Sequence, residues 1–154
     1  MYKVLIVDDE IMIRRGLSKI IHWEEIGFEM AGAVGNAMEA LELIKKTPVD
    51  VLLTDISMPE MTGLELIHQA RKILPGLKTV VISGYSEFDY AREAIELKVE
   101  NYILKPLDPK KITETFQKIC KELDQEQRRE RREHYLQSEY EVRSGAAPEQ
   151  KRCD

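Results

Sequence analysis

Short apolar runs recur along the chain as YKVLIV, EMAGAV, DVLLT, KTVVIS and NYIL, and after each one apolar positions return every three or four residues. The runs read as strands and the stretches between them as amphipathic helices. This alternation predicts an α/β fold, a doubly wound five-stranded parallel sheet. Parallel neighbours need crossovers, and the crossover helices must bury their apolar stripes on both faces of the sheet. The first helix is expected over residues 10–21 with Ile13, Leu17, Ile20 and Ile21 inward. The second is expected over 37–46 with Ala40, Leu41 and Ile44 inward and Pro48 as its stop. Residues 63–74 and 87–97 supply the third and fourth. The fifth starts after Pro109, a favourable helix entry, and buries Ile112, Phe116, Ile119 and Leu123.

The apolar pattern stops there. The following run, DQEQRRERREH, offers no aliphatic or aromatic residue to a core, while Glu126, Arg129 and Glu133 stand at helix-compatible spacings. The expected organisation is one domain over residues 1–123 and a charged helical extension with a disordered end over 124–154. A coiled-coil linker is disfavoured by the missing apolar heptad positions. Composition agrees: 154 residues, 43% hydrophobic and 33% charged, suit one globular domain with a tail. Most of the net charge of -5 falls before residue 124, and an acidic body of this kind has no basic face for phosphates, so it would not bind nucleic acid by itself. No apolar stretch approaches the length of a membrane span, no basic leader precedes the first strand, and the two cysteines form neither a CxxC pair nor a disulfide framework. A cytoplasmic protein without membrane contact is expected.

The chemistry lies where the runs end. Asp8 and Asp9 close the first run and Asp55 the third. On parallel strands these carboxylates meet at the sheet edge where open α/β folds bind ligands, and they repel one another unless a cation lies between them. Three carboxylates favour a hard, oxygen-loving cation, most simply Mg2+. One carboxylate could also attack a phosphoryl group. The resulting acyl phosphate needs metal, a fixed ammonium and a hydroxyl or amide donor around its oxygens, and Lys105 and Ser83, at the ends of the fifth and fourth runs, fit the last two tasks. His22, His68 and His134 lack partner spacing and read as surface residues, and Trp23 with Phe28 reads as packing after the first helix.

The segments VLIVDDE, LLTDISMPEMTG, VVISGYSEF and YILKP resemble, in order and spacing, the receiver domain of two-component response regulators, and the resemblance covers residues 1–123. It implies a flavodoxin-like sheet of strand order 2-1-3-4-5 and a sensor histidine kinase that phosphorylates Asp55. It further implies Mg2+ held by Asp8, Asp9, Asp55 and the backbone carbonyl of Ser57. Lys105 would pair with the phosphoryl group, the Ser83 hydroxyl would be drawn toward it, and Tyr102 would be the aromatic switch that rotates inward. A homodimer would use the face from the fourth helix to the fifth. Ser57 and Tyr85 match positions where the family varies and would modulate water attack on the acyl phosphate. Such a protein catalyses only its own phosphorylation and dephosphorylation.

GYSEFDYA with WEEIGFEMAG further resembles receivers attached to AraC-type DNA-binding domains, so DNA would be reached only through an output domain not seen in these residues. A stand-alone receiver that relays phosphate or binds a target protein is the alternative. A phosphatase of the haloacid dehalogenase type fits less well, because such enzymes carry DxD on the first strand, whereas Asp8 and Asp9 are adjacent and Asp55 is on the third. The chain departs from the family at Asn36-Ala37, at Thr62 before Gly63, and at Lys98-Val99, where a glycine C-cap is missing.

Overall fold

The computed structural model describes residues 1–84 and 101–138. Strands β1 (Tyr2–Val7), β2 (Phe28–Val34), β3 (Val51–Asp55), β4 (Lys78–Ser83) and β5 (Asn101–Leu104) form one sheet in the order β2-β1-β3-β4-β5, with every pairing parallel. Between them run helices α1 (Ile11–Ile20), α2 (Ala37–Lys46) and α3 (Gly63–Ile73), and after β5 comes a long helix, Pro109–Ser138. The fold class and strand order expected above are those observed. The fourth predicted helix, Lys98-Val99 and Tyr85 lie outside the described residues.

Successive residues of a strand point to opposite faces, which explains why the central strands read as unbroken apolar runs. Val4, Ile6, Val51 and Leu53 face a core shared with Leu17 of α1 and with Ile112, Phe116 and Ile119 of the long helix. Leu5, Val7 and Leu52 face the other, shared with Ala40 and Ile44 of α2 and with Leu64, Ile67 and Ala70 of α3. Trp23, in a short 3-10 turn, packs edge-on against Phe116 at 4.8 Å between ring centres and lies 6.3 Å from Phe28. Its indole N–H donates to the carbonyl of Leu17 at 3.0 Å, so it is a core residue as expected.

One expectation is corrected. Ile20 is 56% exposed rather than inward. Positions 20 and 21 both suit a stripe begun at 13 and 17, but α1 ends at Ile20 and the extended backbone of Ile21 turns that side chain into the core instead. Cys120 is buried on the long helix's apolar stripe beside Ile119 and Phe116.

The helix ends are built locally. Asn36 caps α2 by accepting from the amide of Glu39 at 2.9 Å. Thr62 and Glu65 form a reciprocal capping box at the start of α3, so threonine performs the capping task of the commoner aspartate. Beyond Leu123 the long helix continues through Ser138 with its residues half-buried or exposed as far as Leu136. No helix among the described residues is long and apolar enough to cross a membrane.

Candidate functional site

Register brings the acidic residues together. Val7 pairs with Thr54, so the next residues, Asp8 and Asp55, leave adjacent strands side by side. Asp55 pairs with Ile82 and Ser83 with Leu104, which places Ser83 and then Lys105 along the same edge. The Lys105 amide donates to the Ser83 carbonyl at 2.7 Å, holding the two strand ends together.

Asp8 and Asp55 are buried, at 1% and 4% exposure, while Asp9 is exposed. Each of the three offers a carboxylate oxygen, and these oxygens lie within 4.8 Å of one another. Oxygens on opposite sides of an octahedral Mg2+ ion stand about 4 Å apart, close to this spread. One oxygen of Asp8, Oδ2, is buried and accepts no hydrogen bond from the described residues. Desolvating a carboxylate oxygen without a partner is costly, and a hard cation is the partner this donor set suits. The residues therefore fit Mg2+.

Electrostatics point the same way. Burial, the nearby Asp55 and Asp9 push the Asp8 carboxyl up to about 6, although the Glu10 amide and Lys105 oppose the shift. Burial also raises Asp55, against the pull of Lys105 and of the Ile56 amide, which donates to Asp55 Oδ1 at 3.0 Å. Lys105 Nζ stands 3.4 Å from Asp55 Oδ1 and 4.0 Å from Glu10 Oε1. Burial disfavours its ammonium, but Asp55, Asp8 and Glu10 outweigh that and its pKa is raised, so the amine stays charged. An edge with two disfavoured carboxylates and one firm cation has the charge arrangement that suits a further positive ion.

Ser83 is buried, and its hydroxyl donates to the Gly84 carbonyl at 3.1 Å. Tyr102, on β5, is half-buried against the α2–α3 core. Ser57 is exposed in the loop after β3, and Tyr85 is outside the described residues. His22, His68 and His134 are all exposed. Two supporting contacts leave no mark in the sequence. A Cβ on Gly63 would lie 2.2 Å from the Asp55 carbonyl oxygen, so α3 can start directly beneath Asp55 only through a glycine. Arg14 Nη1 donates to the Asp8 carbonyl at 2.6 Å across the β1–α1 loop.

Comparison with known proteins agrees with this architecture. Residues 4–117 match the family model of the response regulator receiver domain. The chain is 37% identical over 148 residues to the uncharacterized transcriptional regulatory protein YesN of Bacillus subtilis (strain 168), covering 96% of this chain but 40% of YesN. It is 37% identical over 119 residues to the chemotaxis protein CheY of Thermotoga maritima, covering 77% of this chain and 98% of CheY. Among solved structures, the REC domain of AraT, a response regulator from Geobacillus stearothermophilus, is similar at 48% identity with a TM-score of 0.77, over 82% of this chain and 98% of that one. A two component transcriptional regulator AraC from Clostridium phytofermentans is similar at 35% identity with a TM-score of 0.72, over 77% of this chain and 92% of that one.

Proposed function

The chain belongs to the response regulator receiver domain family, and from that premise we propose that it is a phosphorylation-activated switch whose phosphoryl group arrives on Asp55 from a sensor histidine kinase. The observation that carries this reading is the placement of Lys105 Nζ 3.4 Å from Asp55 Oδ1, beside the unbonded Oδ2 of Asp8. An oxygen of Asp55 attacks phosphorus, the bond to the donor imidazole nitrogen breaks with its electron pair leaving on the ring, and an acyl phosphate remains. Asp8, Asp9, Asp55 and the Ser57 carbonyl would hold Mg2+, which when bound neutralises charge on the phosphoryl oxygens. Lys105 keeps its ammonium beside the nucleophile and pairs with those oxygens. Ser83 gives up its bond to Gly84 to donate to them, and Tyr102 moves into the space vacated. The switch needs only a few kcal/mol of differential interaction with the phosphoryl group. Ser57 and Tyr85 tune water attack on the product, and a homodimer forms through the fourth-to-fifth-helix face.

A DNA-binding output is part of the proposal. The likeness to YesN runs over 148 residues, past the last core residue Leu123 and into the long helix, whereas that to CheY covers 119. We therefore divide the chain into a receiver, 1–123, and a linker that leads to an output domain. The likeness to CheY, almost the whole of which this chain covers, is what favours the second reading, a receiver acting alone.

Incubation with acetyl phosphate and Mg2+, read by intact mass, should show one phosphoryl adduct on the wild-type protein and none on Asp55→Asn. An adduct retained by the Asn variant, or no adduct on the wild type, would overturn the assignment.

A further inference from the structure

Asp8 is held from three sides. Its amide donates to the Val34 carbonyl at 3.1 Å, and its Oδ1 accepts from the Glu10 amide at 2.9 Å. Its carbonyl accepts from Arg14 Nη1 at 2.6 Å. With amide, carbonyl and one carboxylate oxygen fixed, the atom left over is the buried Oδ2, and where it points follows from where the other three are pinned. The Arg14 amide makes the first backbone bond of α1, to the Glu10 carbonyl at 3.2 Å, so its side chain leaves from a fixed turn of the helix. A cationic donor on a backbone carbonyl is one of the stronger hydrogen bonds available, and its planar head limits the geometries it accepts.

Gly35, the first residue after β2, makes room for that guanidinium. A Cβ at Gly35 would stand 3.0 Å from Nη1 and 3.5 Å from Cζ of Arg14. The positive-φ glycine of this region is Gly27, not Gly35, so a Cβ at Gly35 would be crowded by the guanidinium, which would have to give by a few tenths of an ångström, rather than by the backbone.

We propose that Arg14 is a positioning residue of the cation site: acting through the Asp8 carbonyl, it aims Asp8 Oδ2 and sets the path of Asp9, while Gly35 keeps the space that the guanidinium needs. This inference rests on the reading above, in which the carboxylate cluster takes Mg2+. Residues that orient metal ligands from behind commonly change affinity by ten- to a hundredfold when removed, and a carbonyl contact belongs at the lower end of that range.

The test is calorimetric titration of Mg2+ into the wild type, Arg14→Met, Arg14→Lys, Gly35→Ala and the Arg14→Met/Gly35→Ala double variant, each with its thermal midpoint. Arg14→Met should weaken Mg2+ binding roughly tenfold. Arg14→Lys, which keeps one cationic donor for the carbonyl, should recover most of that loss. Gly35→Ala should also weaken binding by displacing the guanidinium, and the double variant should be no worse than the poorer single one, because both changes remove the same contact. Unchanged affinity in Arg14→Met, no recovery by lysine, or losses that multiply in the double variant would each overturn the inference, whatever the thermal midpoints do. A wild-type protein that takes up no Mg2+ overturns the proposed function as well, whereas one that binds normally beside an equally competent Arg14→Met variant overturns only the role of Arg14.

Discussion

Asp8 concentrates the tension of the site in one residue. Its carboxyl is pushed up to about 6 from an ordinary value of 3.8, chiefly by burial. Between those values the folded protein binds a proton that the unfolded chain does not, so without metal its stability rises as pH falls through 6 toward 4. The penalty is fully present above pH 6. Asp8→Asn should therefore stabilise the metal-free protein at pH 7 by on the order of 2 kcal/mol, a gain of several degrees in Tm. Melting curves in chelator at pH 7 and pH 4.5 test this, and an advantage undiminished at the lower pH would show that the charge is not its source. At this scale the acidic trio, Lys105 and Ser83 are legible as residue types at strand ends. Arg14 and Gly63 are not, since an arginine in an amphipathic helix and a glycine after a threonine have many commoner explanations.

The long helix shows what one element owes to the rest. Past Leu123 it has no apolar stripe, and isolated helical segments of that length are marginal in water. Two polar contacts tie its next turn to the amino ends of the strands, opposite the carboxylates. The Tyr2 hydroxyl donates to Asp124, and Lys78 Nζ meets Glu126 Oε1 at 2.6 Å. Burial and then Asp124 raise the Tyr2 pKa, so the phenol remains a donor. Each contact contributes about 1 kcal/mol or less, enough to matter for a segment so finely balanced. Tyr2→Phe with Lys78→Met should accelerate amide exchange over residues 124–138 several-fold and leave the central strands unaffected. Equal protection in the variant would mean that the helix extends by its own propensity. The sequence pattern announces this extension, but Tyr2 and Asp124 are too far apart along the chain for any local rule to pair them.

For the whole molecule, the fold and the proposed switch share one free-energy balance. The metal-free site opposes folding and a bound cation relieves it, so Mg2+ should raise Tm, by the equivalent of about 1.4 kcal/mol at ten times Kd. The increment should be lost in Asp8→Asn, and a wild-type Tm indifferent to Mg2+ would contradict the linkage. Hydrophobic periodicity was enough to establish the α/β class, the strands and most helix limits, because crossover geometry and two-sided burial leave few alternatives. The end of α1 escaped it: Ile20 and Ile21 satisfy the helical period equally, and packing of the following turn chose between them. Strand-end acids likewise announced a site without its geometry. A sequence can state that Asp8 and Asp55 each end a strand, since that is local. That Val7 pairs with Thr54, that Lys105 comes within 3.4 Å of Asp55, and that Asp8 keeps one oxygen unbonded depend on register between distant segments, which is settled only when the sheet assembles.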